Sequence, residues 1–216
     1  LPYRGADLAL AESQIAASAA KAKWVLVSST SMLPAARKAT EKFLAAAEKA
    51  KANVFFDLNA RAHLWEDADL LRTACVDLAK RAAVVKASER DLASIAGKRG
   101  MSWLDENAKH ATWILTRGEN GAACVGAHGQ ITAPTKRVRC IDATGAGDAF
   151  VAGVLAVLVK IGAKPSGAEW KDGKLWTRAL EVGHGLSAKC VTAVGAVAGV
   201  VQLDDVKAKI EAAKKG

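Results

Sequence analysis

Asp142-Ala-Thr-Gly-Ala-Gly-Asp148-Ala-Phe150 is the stretch on which the reading of this chain turns. Gly145-Ala146-Gly147 reads as a tight turn that follows a strand and opens a long apolar helix over about 147–161. Glycines let a backbone approach a ligand closely. The first N–H groups of a helix lack internal partners and carry the positive end of its dipole. Such a turn makes an anion hole for a phosphate whose charge rises in a transition state. Asp148 sits on the first turn, beside that hole. Its carboxylate can accept a proton from a hydroxyl attacking a γ-phosphate, or it can cap the helix. Local physics leaves the two readings even. The turn is not G-x-G-x-x-G and no G-x-x-x-x-G-K-[ST] occurs, which disfavours dinucleotide-fold and P-loop readings.

Upstream of this turn the pattern alternates. Residues 7–22 read as helix, Trp24–Ser28 as a buried strand, and 34–51 as an Ala/Lys/Glu-rich helix with Pro34 at its start. Residues 54–57 and 83–86 read as strands flanking a helix at 67–81. Helices at about 89–97 and 101–109 precede a strand at Thr112–Thr116. Strands separated by helices imply parallel pairing through right-handed crossovers, a three-layer α/β/α sheet. Ala122–Val125 and Gln130–Ala133, joined through Gly126-Ala-His-Gly129, read as an antiparallel hairpin. Downstream, 162–173 reads as a loop, with helices at about 174–191 and 204–214. The whole of 1–216 reads as a single α/β domain. In open α/β sheets ligands sit beyond the carboxyl ends of the strands. The segments to inspect are Ser28–Ser31, Asp57–Arg61, Lys86–Asp91, Thr116–Gly118 and Asp142–Asp148.

Composition narrows the function classes. The 216 residues carry a net charge of +9, but the lysines spread along amphipathic helices, which reads as solvated surface. Lys136-Arg-Val-Arg139 is the densest basic cluster and reads as a strand edge. RNA- and DNA-binding signatures are absent, so no nucleic-acid partner is expected. No apolar run reaches the roughly 18 residues of a membrane span. Asp7 and Glu12 interrupt residues 1–20, so no signal peptide is expected there. The four cysteines, Cys75, Cys124, Cys140 and Cys190, have no metal-like spacing and read as reduced core thiols of a cytoplasmic protein.

Asp142–Phe150 closely resembles the C-terminal signature of the ribokinase/PfkB carbohydrate kinase family. Weaker likenesses run in order along nearly the whole chain. Tyr3-Arg4, with Ala6-Asp7, is similar to the segment closing the substrate side in fructokinase-like and 2-keto-3-deoxygluconate kinase-like members. Asp57-Leu-Asn-Ala-Arg61 followed by Leu64-Trp65 is similar to their Asp-x-Asn-x-Arg…Leu-Trp motif. Leu115-Thr-Arg-Gly-Glu-Asn-Gly-Ala122 resembles the family's nucleotide-binding strand and turn.

The resemblance implies ATP, Mg²⁺ and a sugar substrate. Asp148 is then the base, and the backbone of Ala143, Gly145, Ala146 and Gly147 forms the anion hole. Thr116, Gly118 and Gly121 lie along the nucleotide, with His184 and Ala188 at the adenine rim. Arg4 and Arg61 face the acceptor. A pair of guanidinium forks suits a carboxylate, hence a sugar acid such as 2-keto-3-deoxygluconate, with fructose beside it. Arg61 can equally form a structural ion pair with Asp57. Asp142 and Gly195 match a monovalent-cation site, for K⁺; a plain turn at Gly195 is the other reading.

Two departures qualify the resemblance. The family's Asn-x-x-Glu motif, which helps organise Mg²⁺ through water, is here Ser88-Glu-Arg-Asp91. Ser88 and Asp91 can keep that role or serve only as a capping box. Family members are also longer, with N-terminal strands, a β lid over the sugar and a Gly-Gly-x-x-x-Asn motif. The chain begins at Leu1, and a truncated or processed chain is expected, together with an N-terminal fragment of the same kinase or a homodimer as partner. Two rival functions remain: an inactive nucleotide-binding remnant that regulates or assembles with a partner, and a basic nucleic-acid binder.

Overall fold

The structure is a computed structural model describing residues 11–15 and 21–197. The helix expected at 204–214 lies outside these residues, as does most of the one expected at 7–22. Of the latter, Glu12–Gln14 forms a 3₁₀ turn. The elements run β1 (Trp24–Ser28), α1 (Pro34–Lys49), β2 (Asn53–Asp57), α2 (Ala68–Arg81), β3 (Val84–Ser88), α3 (Glu89–Ala96), α4 (Gly100–Ala108), β4 (Thr112–Thr116), β5 (Ala122–Gly126), β6 (Gly129–Ala133), α5 (Ala146–Ile161) and α6 (Gly173–Cys190). The strand order is β1-β2-β3-β4-β5-β6. The chain divides into two compact units, Leu1–Trp113 and Ile114–Gly216.

In the first unit β1 pairs with β2 and β2 with β3, both parallel, in a register that sets Asp57 opposite Lys86. β2 and β3 are near-continuous buried runs, as strands covered on both faces require. β1 alternates instead: Val25 and Val27 are buried, whereas Leu26 is 50% exposed. α1 starts on Pro34, where the missing N–H costs nothing. It buries Ala36, Ala39, Thr40, Leu44 and Ala47, one stripe of helical period. Asp67 caps α2 through the Asp69 amide at 2.8 Å. Arg81, near the end of α2, ties that helix to α1 through Glu41 and Glu48 at 2.8 and 2.7 Å.

In the second unit β5 and β6 form the expected antiparallel hairpin, with only Ala127 and His128 between the paired Gly126 and Gly129. α5 is apolar along most of its length and buries Phe150, Val151, Gly153, Val154, Val157 and Leu158. It crosses α6 at Gly153 and Gly183, where the backbones come so close that a Cβ on Gly153 would lie 2.7 Å from the Gly183 Cα. Trp176 of α6 is fully buried. Its indole N–H donates to the Trp170 carbonyl at 2.9 Å. Trp170 and Trp176 meet edge to face, and His128 stacks on Trp176.

Three sequence expectations need correction. The glycine turn before α5 follows no strand: residues 134–145 are irregular, and Lys136–Arg139 are exposed rather than on a strand edge. Lys136, Arg137 and Arg139 face water, and Val138 between them is 43% exposed, so the segment has no buried strand face. It is held instead by the Ile141 and Asp142 amides donating to Val191 O. The loop at 162–173 contains a 3₁₀ turn, Ala168–Lys171, formed because Trp170 is buried against Trp176. Cysteines 75, 124 and 190 are buried, but Cys140, on the irregular segment, is exposed.

Candidate active site

The amino end of α5 is built by a loop that closes on itself. Asp142 Oδ1 accepts from the Thr144 amide (2.9 Å) and hydroxyl (2.6 Å), an Asx-type turn. Its Oδ2 accepts from the Gly195 amide at 2.8 Å. The three donors hold the Asp142 carboxyl below the ordinary aspartate value, the Thr144 hydroxyl first. The Cys190 thiol contacts Thr144 O at 3.5 Å. Burial pushes that thiol up, with the carboxylates of Asp148 and Asp142 adding to the shift. Gly145 is the N-cap, at φ 82°, ψ −4°, the left-handed region. A Cβ there would lie 3.0 Å from Ala196 Cα, so glycine is required both by backbone angle and by contact. The first-turn amides of Gly147 and Asp148 have no intrahelical acceptor four residues back.

Asp148 lies at the third position of α5 and is exposed. The N-cap is Gly145, which has no side chain to offer, and among the described residues no hydrogen bond from Asp148 caps the helix. Among the described residues its carboxylate takes part in none of the hydrogen bonds or ion pairs that organise the loop. Asp148 is thus a carboxylate beside open helix amides that no structural bond among the described residues engages.

The turn after β4 is equally compact. Gly118 and Gly121 have φ of 56° and 82°. The Arg117 amide donates to Gly121 O at 2.8 Å, and the Gly121 amide to Gly118 O at 3.2 Å. A Cβ on Gly121 would run into the Ala133 carbonyl of β6. Thr116 ends β4, half-buried. On α6, His184 is buried, edge-on to Phe150 with centroids 5.1 Å apart. Burial holds its ring below the ordinary histidine value, against a raising hydrogen bond to the Ala133 backbone. Among the described residues its Nε2 has no partner. A buried neutral ring with one unsatisfied nitrogen suits a ligand edge carrying a donor or acceptor. Ala188 lies one turn on and is half-buried; Gly195 sits at φ 81° in the loop after α6.

The first unit has a polar cluster of its own. Asp57 and Lys86 end adjacent strands and form an ion pair at 3.0 Å, with side chains 7% and 6% exposed. Asp57 thus takes Lys86 as its partner, and Arg61 projects exposed beyond β2. Asp91 is buried. Its Oδ2 accepts from the Ser88 amide (2.9 Å) and hydroxyl (2.7 Å), and its Oδ1 from the Ala60 amide (2.8 Å). The capping box at the start of α3 is present, since the Asp91 amide also donates to Ser88 Oγ. Arg4 lies outside the described residues.

Sequence reasoning missed the Asp57–Lys86 pair and the Asp91–Ala60 bond. Opposite charges at the ends of consecutive parallel strands were a usable signal for the first. Nothing local signals the second, which joins residues 31 apart.

The chain matches the family description "pfkB family carbohydrate kinase" over residues 1–202. It is 36% identical over 149 residues to fructokinase of Escherichia coli, covering 67% of this chain and 46% of that protein. It is 34% identical over 128 residues to 2-dehydro-3-deoxygalactonokinase of Haloferax volcanii, covering 57% of this chain and 40% of that one. Among solved structures, aminoimidazole riboside kinase of Salmonella enterica, complexed with aminoimidazole riboside and an ATP analog, superposes with a TM-score of 0.75 at 28% identity. That superposition covers 87% of this chain and 62% of the other, and carries the three-layer α/β architecture. The chain spans about half the length of the curated relatives it matches. Family match, relatives and fold agree with the motifs read from the residues, and this chain belongs to the pfkB family of carbohydrate kinases.

Proposed function

We propose that the protein carrying this chain transfers the γ-phosphoryl group of ATP to a hydroxyl of a sugar or sugar acid. The observation that carries this reading is Asp148: an exposed carboxylate, engaged in no cap, on the first turn of a helix that opens with a left-handed glycine. Asp148 takes the proton as the acceptor oxygen bonds to phosphorus and the bond to the ADP oxygen breaks. The backbone of the Ala143–Gly147 turn, through the amides not already spent by Thr144 on Asp142 and by Ala146 on Ala143, stabilises the charge gathering on the phosphoryl oxygens. The Thr116–Gly121 turn borders the nucleotide, and His184 and Ala188 border its base.

Fructose and 2-keto-3-deoxygluconate are the favoured acceptors. Arg61 supports an acceptor bearing a carboxylate, and the two relatives described act on a ketose and on a keto-deoxy sugar acid by their names. Mg²⁺ accompanying ATP would be held through water by Ser88 and Asp91 and would supply positive charge against the phosphates. Asp91 has a single oxygen lone pair left after its three protein donors, which fits contact through water and not direct ligation. Asp142, kept ionised by its donors, and the loop at Gly195 fit a K⁺ site. The place of β1 at one end of the strand order supports pairing of that strand with an N-terminal portion of the same kinase or a second copy. Use of ATP implies a cytoplasmic setting.

The test is Asp148→Asn in the intact protein, screened against fructose, 2-keto-3-deoxygluconate, ribose and nucleosides. A positioned general base is typically worth about 10²–10⁴ in rate. A variant that keeps turnover within about tenfold of wild type overturns the assignment. The rival reading, an inactive nucleotide-binding partner, predicts ATP binding without turnover of any acceptor.

A further inference from the structure

The acceptor segment Asp57–Arg61 leaves β2 and is caught from several directions within the first unit. The Leu58 amide donates to Lys86 O at 2.8 Å. The Lys86 ammonium holds the Asp57 carboxylate at 3.0 Å. Ser29 Oγ donates to Asn59 O at 3.2 Å. The Ala60 amide donates to Asp91 Oδ1 at 2.8 Å. Between these ties the backbone takes an uncommon turn: Asn59 sits at φ 37°, on the left-handed side. A non-glycine residue stays in such a conformation only where its surroundings over-determine it.

We propose that Asp91 is a positioning residue for the sugar acceptor, which fixes the Ala60 amide and thereby the place from which Arg61 reaches substrate. This rests on reading Arg61 as an acceptor contact. Three details support it. Asp91 is 8% exposed, so its carboxylate is sheltered from solvent. Ser88 consumes Oδ2 through both its amide and hydroxyl, which fixes the carboxylate plane and aims Oδ1 at Ala60. A charged acceptor also makes a stronger and more directional bond to an amide than a neutral one. Lys86 works beside it on the same segment, holding the residue at the strand end through Asp57. Acceptor affinity is therefore governed from the first turn of α3, away from the acceptor itself.

The experiment compares Asp91→Ala, Asp91→Glu and Lys86→Met in the intact protein. Steady-state kinetics are read with acceptor and MgATP varied separately, and backbone amide exchange is read by mass spectrometry. Asp91→Ala is expected to raise the acceptor KM at least tenfold, well beyond any rise in the MgATP KM that loss of a water-mediated Mg²⁺ contact brings. Asp91→Glu, which keeps a capping-box acid, is expected to restore most of the acceptor affinity. Amides at Leu58–Arg61 are expected to exchange at least tenfold faster in Asp91→Ala, with Phe55, Phe56 and Val85 unchanged. A shift confined to the MgATP KM, or to Mg²⁺ dependence, overturns the proposal in favour of a metal-organising role. Unchanged exchange at Leu58–Arg61 overturns it whether or not any acceptor is turned over. If wild-type protein phosphorylates nothing, the functional reading fails separately, and exchange alone decides whether Asp91 fixes the segment. Should Asp91→Ala not fold, Lys86→Met carries the same kinetic prediction with a smaller rise, and no rise overturns it.

Discussion

Gly153→Ala sets two well-known effects against each other. Helix propensity says the change stabilises α5, because alanine is favoured over glycine inside a helix by about 1 kcal/mol. Packing says the opposite. The new methyl carbon would sit 2.7 Å from Gly183 Cα, 2.8 Å from Gly183 N and 3.0 Å from Val182 C. Carbon pairs are at their optimum near 3.5–4.0 Å, so a separation of roughly 1 Å is missing. All three obstructing atoms are backbone, so no rotamer change relieves the clash. α5 and α6 must part along a contact that buries Phe150, Val154, Val157, Leu180 and Val182. Overpacking of this kind costs about 1–3 kcal/mol, and a rigid backbone obstacle belongs at the upper end. Subtracting the propensity gain leaves a net loss of about 1–2 kcal/mol. For a chain of this size that lowers Tm by roughly 2–8 °C. Gly173→Ala is the internal control. It lies at the first position of α6, where a Cβ meets only Ile131 Cδ1 at 3.5 Å, an ordinary contact. It should leave Tm unchanged or raise it. Thermal and urea unfolding of the two variants beside wild type make the measurement. A Gly153→Ala protein as stable as wild type, or more so, would refute the close-approach argument.

Two further outcomes follow from buried titratable groups. Burial places His128 and His184 below the 6.5 of an unfolded histidine. The unfolded chain therefore binds the extra protons first, so stability is intact above pH 6.5 and falls as pH drops through the folded values. Each proton contributes a slope of at most about 1.4 kcal/mol per pH unit, and less for His128, whose partial exposure screens it. Urea midpoints between pH 7.5 and 5.5 should fall, and His184→Gln should flatten the slope by about half; an unaltered slope in the variant counts against the assignment. Among the cysteines, burial pushes the Cys75 thiol to about 12, helped by the Asp91 charge, and raises Cys124 further. An aromatic disulfide reagent on native protein should therefore label Cys140 quickly and the other three only on unfolding. Rapid labelling of two or more thiols in native protein contradicts the burial.

Strand and helix placement was legible in the residues because it depends on local periodicity. Buried runs such as Val54–Asp57 and Thr112–Thr116, and the Pro34 start of α1, carry their own signals, and the hairpin is marked by Gly126 and Gly129. The irregular stretch before Gly145 was misread as following a strand because its partners, Val191 and Gly195, lie about 50 residues on. The site divides in the same way. Asp148 and the glycine turn declare themselves as a spacing, since amides and carboxylate are neighbours along one helix end. Whether that carboxylate is a cap or is left free was a tertiary matter. It was decided when Gly145 took the cap position against Ala196 and Asp142 took over the tying of the loop. The buried pairing of Asp57 with Lys86, rather than Arg61, was likewise decided by parallel register, which brings the ends of β2 and β3 to one level. A sequence encodes which groups are close along the chain; hydrogen bonds between residues 30 or 50 apart exist only once packing has chosen a register, and those bonds determine which charged groups are spent on structure and which remain for chemistry.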